Sequence, residues 1–305
     1  MLEYTVFVAG RVNDLVYAPD GKHLILAVEQ SVLVLTLPTR NLLWHAWVGE
    51  TAYNVACSPD GSQLAVASAS GVSIWSITGQ RLDFCDGHAG NVYSVTYIPV
   101  NALLVTAGAD KMVLLWEWQR GRYRPCFAYR QHTEALREAL ATPVGERILS
   151  YTPFWLHVWQ RATGKPLIVY GGPHDPKQST PWLYRAQWSP DGTMIALAME
   201  NAVSLAVLTS DTSHCEELQI QGIWQGHEGR GGTIAFSSGG QMLATAGYDA
   251  SIRTWCLPTG SKPSVSQWTS FPQPSVKLLA WSPDDTCLCG VTSAQGIDRI
   301  QFWRL

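Results

Sequence analysis

Charge is scarce in this sequence. Lys, Arg, Asp and Glu together make up 15% of 305 residues, and the formal balance is −3. That leaves no global pull towards nucleic acid or an anionic membrane surface. A disulfide framework is also missing. Cys57, Cys85, Cys126, Cys215, Cys256, Cys287 and Cys289 are odd in number and lack paired spacing. They are expected to be reduced core thiols in a reducing compartment. No run approaches the roughly 18 apolar residues of a membrane span. The opening "MLEYTVFVAGRVNDL" has no basic region followed by a long apolar stretch. A soluble, cytoplasmic protein is the expectation. No Walker, kinase, GxSxG or HExxH signature is present. Helical signal is nearly absent. Its best instance, "HTEALREALATP" at 132–143, falls where a repeat places a first strand.

Bulky apolar residues are abundant. Hydrophobic residues reach 46% and include 14 tryptophans, so the chain can bury a large core. The length alone favours about two domains, but an internal repeat overrides that prior. "APDG" at Ala18, "SPDG" at Ser58 and Ser189 and "SPDD" at Ser282 read as tight turns. "IPVN" at Ile98, "TPVG" at Thr142 and "SSGG" at Ser237 hold the equivalent places, giving seven turns. After each turn come two short runs rich in Val, Ile, Leu and aromatics. Five of these pairs end at Trp75, Trp116, Trp159, Trp255 and Trp303; Leu35 and Val207 end the other two. Short runs bounded by Gly, Pro and Asp are the signal of strands joined by turns.

Two of the units share a polar skeleton. His88, Thr106, Asp110 and Trp116 are spaced as are His227, Thr245, Asp249 and Trp255, with 18, 22 and 28 residues after each His. A catalytic site is normally built once, so the duplication points to architecture. This pattern of Gly-His, a small-residue strand, Asp, and Trp with an acidic neighbour (Trp116-Glu117) resembles the WD repeat. The resemblance spans the chain as seven units. It implies an all-β, seven-bladed β-propeller of four-stranded antiparallel blades, one domain over residues 1–305. It also implies that the N-terminal strand, 2–8, completes the last blade, 276–304, and hides a sheet edge. In this family the Asp accepts from the His, the His reaches the Thr hydroxyl and the Thr reaches the Trp indole. The resemblance therefore makes both quartets structural networks with no catalytic residue.

The remaining motifs have plainer readings. "GHEGRGG" lacks the Lys-Ser/Thr ending of a phosphate loop. Cys287 and Cys289 share a strand face without a second pair at zinc spacing, so neither a metal nor a cofactor is expected. "GGPHDPKQSTPW" at 171–182 reads as a surface loop. Arg120, Arg122, Arg124 and Arg130, interleaved with Tyr123 and Tyr129, read as the solvated side of an outer strand.

The resemblance places a binding surface on the narrow propeller face, at the starts of the innermost strands. Counting back from each turn puts Arg11, Tyr53, Tyr93, Arg137, Trp182, Tyr184, Arg230 and Lys277 there, with Tyr248 beside one turn Asp. This set holds aromatics and cations and no carboxylate, the residue types that dominate interface hot spots. The expected function is a non-catalytic interaction scaffold that takes an acidic or aromatic-bearing protein segment, alone or as a subunit of a larger assembly. The alternatives are a propeller hydrolase with a central metal, disfavoured by the lack of acidic residues at these starts, and a nucleic-acid-binding subunit using the Arg/Tyr face.

Overall fold

The computed structural model describes residues 2–100, 103–171, 182–199, 202–210, 216–224, 227, 231–247, 249, 251–257, 265–267, 275–294 and 296–304. Most of the 171–182 loop, Cys215, Arg230 and Tyr248 lie outside the described residues. The chain divides into two compact units, one of Val12–Val169 and one of Met1–Arg11 with Tyr170–Leu305.

Seven four-stranded sheets, here blades 1 to 7 in chain order, account for the strands. The unit Val12–Val169 holds four. Blade 7 supplies the first strand of the chain, β1 (Leu2–Phe7). Blade 1 is β2 (Val12–Tyr17), β3 (His23–Val28), β4 (Ser31–Thr36) and β5 (Leu42–Trp47). Blade 2 is β6 (Ala52–Cys57), β7 (Gln63–Ser68), β8 (Val72–Ser76) and β9 (Arg81–Cys85). Blade 3 is β10 (Val92–Ile98), β11 (Leu103–Gly108), β12 (Val113–Gln119) and β13 (Arg122–Tyr129). Blade 4 is β14 (Glu138–Ala141), β15 (Arg147–Tyr151), β16 (Trp155–Gln160) and β17 (Pro166–Gly171).

In the other unit, blade 5 is β18 (Leu183–Trp188), β19 (Met194–Met199), β20 (Ala202–Ser210) and β21 (Glu216–Trp224). Blade 6 is β22 (Gly231–Phe236), β23 (Met242–Gly247), β24 (Ile252–Cys256) and β25 (Val265–Gln267). Blade 7 runs β26 (Ser275–Trp281), β27 (Cys287–Ala294) and β28 (Ile297–Arg304), and β1 adds antiparallel to β28 as its outer strand. The late part of the chain thus supplies three strands of its last blade, and the N-terminal strand supplies the fourth. The helix-prone stretch at 132–143 contains β14: repeat register overrides local helix propensity there.

The turns form as their residues dictate. Asp60 accepts from the Ser62 N–H at 3.0 Å and Gly61 takes φ +73°, which closes the β6–β7 turn. In "SPDD" the glycine is replaced by Asp285 at φ 58°, a left-handed conformation that Asp tolerates better than most residues. The second strands carry the core. Every residue of β11 is buried, whereas β5 is mostly exposed. Small residues such as Ala65, Ala67, Ala107 and Ala244 let neighbouring blades approach, and Trp116, Trp159 and Trp303 fill the space between them. One apolar cluster joins blades 2 and 3, and another joins blades 3 and 4.

Candidate functional site

The polar quartets lie inside the blades. His88 Nδ1 is 2.9 Å from both Asp110 oxygens, His88 Nε2 is 2.7 Å from Thr106 Oγ1, and Trp116 Nε1 donates to that hydroxyl at 2.9 Å. A carboxylate at Nδ1 requires a proton there, so Nε2 accepts from the threonine. In blade 6 His227 Nδ1 meets Asp249 at 3.0 Å, Nε2 meets Thr245 Oγ1 at 2.8 Å, and Trp255 donates to Thr245 at 2.9 Å. Burial holds the His227 pKa down against the raising effect of Asp249. Thr106 and Thr245 are fully buried, so neither hydroxyl can meet a substrate. The chain of bonds closes the turn after the second strand and anchors the Trp. Leaving one buried partner unsatisfied would cost about 1–3 kcal/mol.

The strand-start residues owe their placement to a repeated irregularity. In six blades the pairing of strands one and two slips near the start: between Val12 and Asp14, Ala52 and Asn54, Val92 and Ser94, Leu183 and Arg185, Gly231 and Thr233, and Val276 and Leu278. Each slip is a β-bulge that sets one residue outside the regular register and re-aims its side chain. Tyr53, Tyr93, Tyr184 and Lys277 are such bulge residues. In blade 6 the place falls to Gly232, where a Cβ would lie 2.9 Å from the Ala246 carbonyl.

In the unit Val12–Val169, Tyr53 and Tyr93 meet edge to face at 5.1 Å, and Asn91 Nδ2 donates to the Tyr53 hydroxyl at 3.2 Å. Arg137 is exposed just ahead of β14, with its N–H donating to the Tyr151 carbonyl. In the other unit, Arg11 is exposed, Trp182 is exposed ahead of β18 and Tyr184 is half-buried. Lys277 lies beside a carboxylate from another strand of its blade. Its Nζ donates to Asp298 at 2.9 Å, and Asp298 is only 2% exposed, so this ammonium is neutralised within its own blade.

In blades 1 to 3 the residue after the bulge carries a role that the sequence reading missed. Asp14 accepts from the Val55 N–H at 3.1 Å, Asn54 Oδ1 from the Val95 N–H at 2.8 Å, and Ser94 Oγ from the Ala139 N–H at 3.3 Å. Each polar side chain thus ties one innermost strand to the next. The available signal was a polar residue at the same place in successive apolar strands: Asp14, Asn54, Ser94. Among the described residues no group of three or more His, Cys, Asp or Glu is placed to hold a metal, and no helix is long and apolar enough to cross a membrane.

Four-stranded antiparallel blades with the N-terminal strand joined to the last one define a β-propeller. The likeness to the crystallised β-propeller domain of Myceliophteria thermophila Cps50 (Swd1) is of that fold: TM-score 0.81, 16% identity, 100% of this chain and 99% of that one. The WD domain, G-beta repeat family matches residues 79–117 and 218–256, the two spans that hold the complete His-Thr-Asp-Trp networks, so the β-propeller carries two WD repeats. Among curated proteins it is similar to Protein hir1 of Aspergillus terreus, at 25% identity over 96% of this chain and 27% of that protein. It is also similar to apoptotic protease-activating factor 1 of Danio rerio, at 23% identity over 80% of this chain and 18% of that protein. The chain spans about a quarter or less of the length of these relatives.

Proposed function

We propose that residues 1–305 form one propeller domain that acts as a non-catalytic, cytoplasmic interaction platform. It binds a protein segment through aromatic and basic side chains at the first-strand ends. WD40 propellers are typically protein-interaction scaffolds. The observation that carries the reading here is the recurrent bulge, which shifts Tyr53 and Tyr93 out of the regular strand register and leaves each partly exposed. Tyrosine offers broad contact at low entropic cost, and arginine grips carboxylates bidentately. An acidic or aromatic-bearing segment is therefore the partner chemistry that suits Tyr53, Tyr93 and Arg137. Among the described residues six cysteines are free thiols, which supports the reducing setting.

Partner capture from cell extract tests this. The triple variant Tyr53→Ala, Tyr93→Ala, Arg137→Ala should lose at least about 2 kcal/mol of binding, the hot-spot scale. The control Arg122→Ala with Arg124→Ala, on outer strand β13, should keep its partner at equal thermal stability. The reverse result would move the working surface to the outer edge.

A further inference from the structure

The blades of the unit Val12–Val169 meet at seams, and equivalent places in these seams are filled differently. Trp44, Asp83 and Phe127 share one place, opposite Val34, Ile74 and Leu115. Each closes its seam: Trp44 donates to the Ile77 carbonyl at 2.8 Å, Asp83 accepts from the Tyr123 N–H at 2.7 Å, and Phe127 stacks on Trp159 at 5.9 Å. Two residues on, Ala46, Cys85 and Tyr129 share the next place, opposite Val32, Val72 and Val113. Here the seams diverge. Tyr129 is 2% exposed and lies flat on Trp159 at 4.4 Å, and Cys85 is 1% exposed. Ala46 is only half-buried, and so is Val48 beyond it. The seam between blades 1 and 2 is thus closed at Trp44 and open at Ala46, where the seam between blades 3 and 4 has a ring.

The facing wall belongs to blade 2. Trp75 packs in the cluster that Trp44, Ala46 and Val48 join, so it faces blade 1. Arg81 opposes Trp75 in the pairing of β8 and β9, and Phe84 opposes Ser73, whose hydroxyl accepts from the Trp75 indole at 2.8 Å. Cross-strand partners share a face, so Arg81 and Phe84 also turn to blade 1. Phe84 is 37% exposed and lies over Gly71, where a Cβ would come 2.8 Å from its ring. The Arg81 guanidinium is 5.3 Å from the Phe84 ring and 6.0 Å from that of Trp75. Arg81 is exposed and meets no carboxylate among the described residues, since Asp83 turns to blade 3. Asp86 is exposed just past the strand, beyond Phe84. The notch therefore has apolar walls, a cation towards one end and a carboxylate towards the other.

We infer that this notch is a second docking site, separate from the first-strand ends, for a partner protein that inserts an aromatic side chain with a carboxylate beside it. The ring takes, between Ala46, Val48 and Phe84, the place that Tyr129 takes in the seam of blades 3 and 4. It covers apolar surface that the chain leaves half-open. The carboxylate accepts from Arg81, at the end away from Asp86. Arg81 suits this task, because its stacking on Phe84 holds the guanidinium at the rim, where it can meet both carboxylate oxygens. One side chain covers little beside the roughly 800 Å² per partner of a standard interface, so the contact is weak alone and adds to a larger one.

Fluorine NMR of the whole chain with the dipeptide acetyl-Phe-Asp-amide, para-fluorinated on its ring, tests this. Wild type should bind it with a Kd on the order of 1 mM, and should bind the Phe-Asn analogue at least about threefold more weakly. Ala46→Tyr copies the ring of the blade 3–4 seam and should weaken the dipeptide at least about tenfold without lowering the melting temperature. Arg81→Gln should bind the two peptides equally. Arg81 is exposed, so this variant reads the carboxylate contact even if Ala46→Tyr fails to fold. The triple variant Tyr53→Ala, Tyr93→Ala, Arg137→Ala should bind the dipeptide as wild type does, which separates this site from the first-strand ends. The inference is overturned if wild type leaves the signal unchanged or treats both peptides alike, if Ala46→Tyr binds as wild type, if Arg81→Gln still prefers Phe-Asp, or if the triple variant loses the probe. A wild type that ignores the dipeptide yet self-associates, with the association lost in Ala46→Tyr, also overturns it and assigns the notch to a second copy.

Discussion

Blades 3 and 4 are neighbours built on the same plan, and they close the same turn by different chemistry. In blade 3, Asp110 does two jobs: it holds His88, and it accepts from the N–H groups of Ala89 and Met112 at 3.0 and 3.2 Å. In blade 4 these jobs are separated. His132 Nε2 still meets Ser150 Oγ at 2.8 Å, and Trp159 still donates to that hydroxyl at 3.1 Å. The place 22 residues after the His is Phe154, however, and the turn is closed by Thr152 Oγ1, which accepts from the Phe154 and Trp155 N–H groups. His132 Nδ1 is buried with no partner. Rings fill the space instead. His157 stacks on His132 at 4.0 Å, its Nδ1 lies 3.0 Å from the Tyr129 hydroxyl, and Tyr129 stacks flat on Trp159 at 4.4 Å. A blade therefore needs a closed turn and an anchored Trp; the carboxylate is one way to obtain both.

If that is right, blade 3 is the more vulnerable to loss of a single group. Asp110→Ala should destabilise the protein by about 2–4 kcal/mol, because it opens the turn and leaves a buried His unsatisfied. Urea melts measure this. Turnover is not the readout, since Thr106 is sealed from solvent. A loss under about 0.5 kcal/mol would mean that packing alone closes blade 3, as it largely does blade 4.

Blade 4 should instead be the acid-sensitive one. Burial first, and the neighbouring His157 second, push the His132 pKa down to about 3; burial also lowers that of His157. Between that value and the ordinary His pKa near 6.5, the unfolded chain binds a proton that the folded chain refuses. The stability is thus fully present above pH 6.5 and lost as pH falls towards 3. The slope is about 1.4 kcal/mol per pH unit from a site so displaced. Denaturant melts between pH 7 and pH 4.5, wild type against His132→Gln, read it directly. Equal slopes would remove His132 as the source.

The contrast between these blades also shows where sequence reading stops. The seven turns, the Trp anchors and the two quartets were legible because each repeats at fixed spacing. Blade 4 hid its network because Ser150 replaces Thr and Phe154 replaces Asp, and only the hairpin register shows that Ser150 faces His157 across the sheet. The Lys277–Asp298 pair was invisible for a related reason. It joins β26 to β28 across an intervening strand, a relation that no local pattern carries. The bulges escaped too, since an extra residue in one strand leaves no mark in the alternation of six. Yet they are what shifts the strand-start aromatics out of the regular register.

The smallest expected effect tests the comparison most directly. Phe154→Asp restores to blade 4 the carboxylate that blade 3 has. Two consequences oppose each other at neutral pH: a charge-assisted bond to His132 Nδ1 is gained, and the apolar contacts of a half-buried Phe are lost, each on the order of 1–2 kcal/mol. The net change near pH 7 should therefore be within about 1 kcal/mol of zero and decides nothing alone. The acid limb does decide. A carboxylate beside His132 favours the protonated ring and raises its folded pKa, which narrows the gap to the unfolded value and flattens the stability loss below pH 6.5. The spacing works against this outcome, because Trp159 follows His132 by 27 residues where Trp116 follows His88 by 28, so the blade 4 turn is one residue shorter. A flattened limb would show that residue 154 still reaches the ring, and that blade 4 differs from blade 3 only in which side chain occupies a shared position. An unchanged limb would show that the lost residue moved the position out of reach, and that Thr152 and His157 are the compensation for a shortened turn.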